Sequence, residues 1–226
     1  MKTIIGFFIC ICSFSTLRLS ATLVGDSIQI TVSGDNLSYS EMQSLMDKNF
    51  GVIVRSTMTS MDIQSLVSLN ANNVYIDGQG FDYVSLNSWL SSGANIIVDR
   101  SFSTFDLKSL TGTGGKKVYV FANDFEIYDI ETFISNGANI IFNRSTNYSY
   151  LYSIISKYPN RIFVDTKNLS FYEVNDFVSE DACIWISNSL YINDIRTIIY
   201  QMKRFRGHLF INQKMSYFDV KLLLEQ

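Results

Sequence analysis

Short apolar triplets punctuate the chain at a fixed interval. They are Ile30-Thr31-Val32, Val52-Ile53-Val54, Val74-Tyr75-Ile76, Ile96-Ile97-Val98, Val118-Tyr119-Val120, Ile140-Ile141-Phe142, Ile162-Phe163-Val164 and Ile184-Trp185-Ile186, each starting 22 residues after the last. A ninth, Leu209-Phe210-Ile211, follows after 25. β-Branched and aromatic residues dominate them, as strands require. Between them the apolar positions switch to helical spacing, as in Met42, Leu45, Met46 or Ile130, Phe133, Ile134. Such i, i+3, i+4 sets place one apolar stripe on a short helix. The helix starts are marked by Ser38-x-x-Glu41, Thr59-x-x-Asp62, Ser103-x-x-Asp106, Ser170-x-x-Glu173 and Ser216-x-x-Asp219. In each, a hydroxyl caps a free backbone N–H and an acid meets the positive helix end. Gly93, Gly112, Gly137 and Asn70 mark expected helix ends, where the chain turns with positive φ.

Each unit is therefore strand, turn, helix of about ten residues, turn. Strands joined through a helix are parallel, with right-handed crossovers. One unit cannot bury its own apolar face, so neighbours must stack. The pattern predicts an α/β protein, a single right-handed β/α solenoid of nine 22-residue units over residues 22–226. The first strand and the helix from Tyr217 to Leu224 would cap its two ends. Strand-helix repeats of this length resemble the leucine-rich-repeat class. The resemblance is architectural: Phe133, Ile134, Ile140 and Phe142 match its consensus loosely, and its Asn-ladder phase holds Asp35, Thr57, Gln79, Ser101, Asn123, Ser145 and Lys167. It implies a curved scaffold used for binding.

In such a solenoid the outer triplet residues face the helices and the middle ones face the concave surface. That ladder reads Thr31, Ile53, Tyr75, Ile97, Tyr119, Ile141, Phe163, Trp185 and Phe210, with rungs about 4.8 Å apart. Two residues on, the same face carries Ser33, Arg55, Asp77, Asp99, Phe121, Asn143, Asp165, Ser187 and Asn212. Large exposed apolar patches mark interaction sites. The expected function is therefore a non-enzymatic module that binds a protein or peptide, or a second copy, through Ile53 to Phe210 with Arg55, Asp77, Asp99 and Asp165. Carbohydrate is a further candidate, since aromatic rows suit sugar rings. The alternative is a small (β/α)8 barrel, because strands buried on both faces read apolar throughout. Its catalytic groups would sit at the strand C-terminal ends, where Asp77, Asp99, Asn143, Asp165 and Asn212 stand with Arg55. A hydrolase with a glycosidase-like acid/base pair could be drawn from them. Nine strands and a unit of 22 residues, against about 250 residues for a typical barrel, favour the solenoid. A structural subunit of an extracellular assembly is the third reading.

Composition narrows the chemistry. Of 226 residues 47% are apolar and 17% charged, which excludes disorder. The pI near 5.1 leaves no basic face for nucleic acid. Lys2, the apolar run Ile4 to Cys12, and Leu19-Ser20-Ala21 read as a signal peptide cleaved after Ala21. A secreted mature chain would keep 16 basic and 21 acidic residues and no membrane segment. It would also keep only Cys183, expected as a small buried apolar residue. His208 is the single histidine, so a zinc site or a Ser-His-Asp pairing lacks its parts. It is expected as an exposed or half-buried edge residue. No cofactor is expected, and no metal, although Asp77, Asp99 and Asp165 are weighed for calcium. Thr111 to Gly115 precedes a strand and reads as a turn, not as a phosphate loop. Lys203-Arg204-Phe205-Arg206 reads as a solvated helix end. Asn-x-Ser sequons stand at Asn36, Asn143, Asn147 and Asn168.

Overall fold

The computed structural model describes residues 28–123, 125–143, 145–187, 190–203 and 207–224. The expected leader and its expected cleavage site after Ala21, Cys10, Cys12 and Arg204 to Arg206 of the basic cluster lie outside them. Nine strands alternate with nine helices among the described residues. The order is β1 Gln29–Ser33, α1 Tyr39–Met46, β2 Gly51–Val54, α2 Ser60–Asn70, β3 Val74–Asp77, α3 Tyr83–Ser91, β4 Asn95–Val98, α4 Thr104–Gly114 and β5 Val118–Phe121. It continues as α5 Ile127–Ser135, β6 Asn139–Phe142, α6 Tyr148–Lys157, β7 Ile162–Asp165, α7 Phe171–Ser179, β8 Cys183–Ile186, α8 Ile192–Met202, β9 His208–Ile211 and α9 Tyr217–Leu224.

The strands do not form an open solenoid. All pair in parallel, and β1 closes on β9 with Ile30 opposite Leu209 and Val32 opposite Ile211, giving a nine-stranded barrel. The sheet has no free edge, so nothing caps its ends: β1 pairs on both sides, and α9 lies beside α8 and reaches α1, with Ser44 Oγ 3.3 Å from Tyr217 Oη. Closure follows from the ladder. Open, it would leave nine mostly apolar side chains in water; closed, every one is at most 5% exposed. Burying a Leu- or Phe-sized side chain stabilises by about 1.5–3 kcal/mol, so closure gains far more than the paired edge alone. The short unit is no obstacle. A four-residue strand is about 13 Å long, and a helix of nine residues spans about 13.5 Å.

Two units, not one, make the repeat that closes the barrel. Between β2 and β3, β4 and β5, and β6 and β7 the ladder residues pair directly, as Ile53 with Tyr75. Between β1 and β2, β3 and β4, β5 and β6, and β7 and β8 the register slips by two, so Ser33, Asp77, Phe121 and Asp165 stand opposite Ile53, Ile97, Ile141 and Trp185. Four slips of two give a stagger of eight residues, the value of an eight-stranded (β/α) barrel. The local chain shows the same 44-residue period. Asn49, Gly93, Gly137 and Asp181 all take positive φ. Gly34, Gly78, Ala122 and Thr166 each donate a backbone N–H across the slip, to Ile53, Ile97, Ile141 and Trp185. Of the expected helix ends, Gly93 and Gly137 turn as anticipated, but Gly112 lies inside α4 and the turn falls at Gly115. Asn70 is the last residue of α2, with φ −156°. Reciprocal capping boxes form at Ser38/Glu41 and Ser170/Glu173.

Candidate functional site at the strand C-terminal ends

The ladder fills the barrel. Because alternate strands are offset, its aromatic members from β3, β5, β7 and β9 meet in one layer, with centroids of Tyr75–Tyr119 at 5.6 Å, Tyr119–Phe163 at 5.5 Å, Phe163–Phe210 at 5.4 Å and Tyr75–Phe210 at 5.0 Å. Ile53, Ile97, Ile141 and Trp185 pack with them, and Trp185 stacks on Phe210 at 4.6 Å. A barrel widens roughly in proportion to its strand number, so a ninth strand calls for rings where branched aliphatics dominate in eight. The expected concave binding row of Ile53, Tyr75, Ile97, Tyr119, Ile141, Phe163, Trp185 and Phe210 is thus a core no partner can touch.

Below this layer, at the strand N-terminal ends, lies a polar floor, buried except for Gln29 at its edge. Gln29 Nε2 donates to Tyr75 Oη at 2.9 Å, and His208 Nε2 lies 2.9 Å from Thr31 Oγ1. The His208 backbone N–H points to Cys183 Sγ at 3.4 Å. His208 is no edge residue. It is 8% exposed, and burial alone depresses its pKa to about 3, so it stays neutral. Burial pushes the Tyr75 hydroxyl and the Cys183 thiol up to about 12 each. Gly51 belongs to this floor, since a Cβ there would stand 2.2 Å from Thr31 Oγ1 and 2.6 Å from the Tyr75 ring.

The opposite end, above the rings, carries the polar residues. Arg55 on the β2 exit gathers four partners from three other strand ends. Nε donates to Asp77 Oδ2 at 3.2 Å and Nη1 to Ser33 Oγ at 3.1 Å. The guanidinium also pairs with Asp35 and donates to the Asn212 side-chain oxygen. Ion pairing thus brings Arg55 and Asp77 together, with Asp35, which stood in the Asn-ladder phase and not in the concave-face row. Asp99 and Asn143 lie elsewhere on the rim, and each shapes its own turn. Asp77, Asp99, Asn143 and Asp165 accept from the backbone N–H two residues on, at 3.2, 2.9, 2.9 and 3.0 Å. These Asx turns are a signal the sequence offered and the ladder reading passed over. At the sequons, Asn143 is held this way and Asn147 caps α6.

Asp165 stands apart from the other rim carboxylates. The β7–β8 slip sets it opposite Trp185, as the β3–β4 slip sets Asp77 opposite Ile97, but Asp165 is only 5% exposed where the Asp77 side chain is 26% exposed. Ser187 Oγ donates to its Oδ1, the atom that also takes the Lys167 N–H. Burial raises its pKa above the ordinary 3.8; these two hydrogen bonds and the Lys167 charge oppose the rise without cancelling it. Phe121, half-buried, covers the Trp185 ring beside it at 5.2 Å. The indole N–H of Trp185 and the side-chain oxygen of Asn123, both buried near this mouth, find no hydrogen-bond partner among the described residues. Among the described residues, no three His, Cys, Asp or Glu gather as metal ligands would.

No protein-family model and no curated protein matches the sequence. Solved structures do. Phosphoribosylanthranilate isomerase from Thermotoga maritima, in a monomeric form, superposes with a TM-score of 0.52 at 8% identity, over 88% of this chain and 97% of that one. A phosphoribosyl anthranilate isomerase bound to a reduced carboxyphenylamino-deoxyribulose phosphate gives 0.53 at 8% identity, over the same shares. At this identity the likeness is one of fold, a TIM-type (β/α) barrel. It replaces the leucine-rich-repeat resemblance. The expectation of a non-enzymatic module falls with the concave face that carried it, and these neighbours are enzymes by name.

Proposed function

We propose that the protein is a barrel hydrolase whose active site is the mouth at the strand C-terminal ends. In (β/α) barrels catalytic groups come from strand ends at this face, whereas the opposite face serves stability. The observation that carries the reading is Asp165. It is a carboxyl sunk beneath the rim, with its pKa raised by burial and one oxygen that takes no hydrogen bond among the described residues. A carboxyl whose proton is held more tightly than usual is suited to donate it to a leaving group. Asp99, three strands away and half-buried, stands in a wetter setting and would activate water. Two carboxyls in unlike environments form the acid/base division of glycoside hydrolysis. Arg55 and its carboxylate partners would fix the opposite wall of the mouth.

The test is a screen of chromogenic glycosides with the parent, Asp165→Asn and Asp99→Asn. Hydrolysis by the parent should fall by about 10²-fold or more in Asp165→Asn. Asn is compatible with the turn, because Asn143 already holds the same Asx turn on β6. A variant hydrolysing at the parent's rate would refute the assignment.

A further inference from the structure

The mouth is ringed by apolar side chains that the core does not use. Met61, Phe105, Tyr128, Tyr172 and Phe218 are the second residues of α2, α4, α5, α7 and α9, and Tyr191 caps α8. They are 80, 82, 74, 80, 66 and 82% exposed. Every helix begins at the strand C-terminal end, so all six stand on one end of the barrel, outside the polar rim. The same end is acidic. From the last residue of each strand to the fourth of the following helix, carboxylates outnumber cations thirteen to four among the described residues. At the other end cations outnumber carboxylates nine to five. Acids favour helix N-termini and bases C-termini. Nine helices pointing one way turn that local rule into two oppositely charged faces.

We propose that this collared face docks a cationic polypeptide surface that carries its own apolar side chains. Charge complementarity selects the partner, since an acidic face repels anionic lipid and other acidic faces and attracts Lys and Arg. The rings supply apolar anchors and sites for cation–π contact. Six such side chains at these exposures offer on the order of 900 Å², close to the ~800 Å² per partner of a standard interface. The basic end of a second copy fits less well, because it exposes few large apolar residues, chiefly Leu69 and Tyr200. This inference stands whether or not Asp165 is catalytic.

Fluorescence anisotropy of a labelled Lys- and Phe-rich peptide, against an analogue with every Lys replaced by Glu, tests it. The basic peptide should bind, more weakly as salt rises, and the acidic one should not. Phe105→Ser with Tyr172→Ser should weaken binding by about tenfold or more, with thermal unfolding unchanged because both residues are exposed. Asp82→Asn with Asp194→Asn should weaken binding and flatten its salt dependence. Equal affinity for the two peptides, or full affinity in the Phe105/Tyr172 variant, would overturn the proposal. So would sedimentation of the protein alone as an oligomer that the same variant dissolves, or its uptake onto phosphatidylcholine vesicles, since a second copy or a lipid surface would then be the occupant.

Discussion

Replacing Phe210 by Ala probes the enclosed ladder at its centre. The ring is fully buried and lies 5.0 Å from Tyr75, 5.2 Å from Tyr119, 5.4 Å from Phe163, 4.6 Å from Trp185 and 4.3 Å from His208. Phe→Ala empties about 100 Å³, and at about 24 cal/mol per Å³ the cavity costs about 2.4 kcal/mol. Lost transfer energy adds about 2 kcal/mol. The total, about 4–5 kcal/mol, is large because five rings held by nine strands cannot collapse into the gap. For a chain of this size 1 kcal/mol shifts Tm by about 2–4 °C, so the melting temperature should fall by about 8–20 °C. Circular dichroism melts of the parent, Phe210→Ala and the control Phe218→Ala measure this; Phe218 is 66% exposed and its loss should be nearly silent. A Phe210→Ala melt within about 2 °C of the parent would refute the reasoning, because a ring on an open concave face would be as dispensable as Phe218.

Three further outcomes follow from buried titratable groups and the Arg55 cluster. Asp165 has a raised folded-state pKa, so the native state binds more protons than the unfolded one, and its contribution to stability is lost as pH rises from 3.8 through the folded value. Asp165→Asn should remove that loss and raise Tm at pH 7, while hydrolysis falls by about 10²-fold or more; a fall in Tm would mark Asp165 as structural. His208 has the opposite sign. Its folded pKa, about 3, lies below the ordinary 6.5, so stability present above pH 6.5 is lost between 6.5 and 3, on the order of 4 kcal/mol. His208→Gln should flatten urea-derived stability across that window, and an unchanged acid slope would contradict a buried neutral ring. Arg55→Met removes the cation that Asp35 and Asp77 share; Tm should fall by about 2–8 °C, and an unchanged melt would show that the cluster does not hold the mouth.

Much of the architecture was legible from local chemistry. The 22-residue phase, the helix stripes and the caps at Ser38 and Ser170 depend on neighbours in sequence, and they were read from it. Closure depends on β1 meeting β9, about 180 residues apart, and an apolar row looks the same whether it faces water or an interior. The discriminating signal was present at twice the period. Ile53, Ile97 and Ile141 alternate with Tyr75, Tyr119 and Phe163, and the left-handed turns recur at Asn49, Gly93, Gly137 and Asp181. That alternation is the two-residue slip that a barrel of this stagger needs and a flat stack of equal units does not. The rim residues Arg55, Asp77, Asp99 and Asp165 could be named from their phase. Their differences could not, because Arg55 draws partners from β1, β3 and β9, and Asp165 is buried while Asp77, at the same register offset, is not.

Closure itself is the claim on which the rest stands, and one distance decides it. Nitroxides on Ser40→Cys in α1 and Phe218→Cys in α9, in a background with Cys10→Ser and Cys12→Ser, can be read by pulsed dipolar spectroscopy. Cys183 is buried and should stay unlabelled. Adjacent helices in a closed ring lie about 10 Å apart, so the labels, with their own length, should fall within about 25 Å. In an open stack β1 and β9 would be eight steps of about 4.8 Å apart, and a label distance near 40 Å or beyond would contradict the barrel.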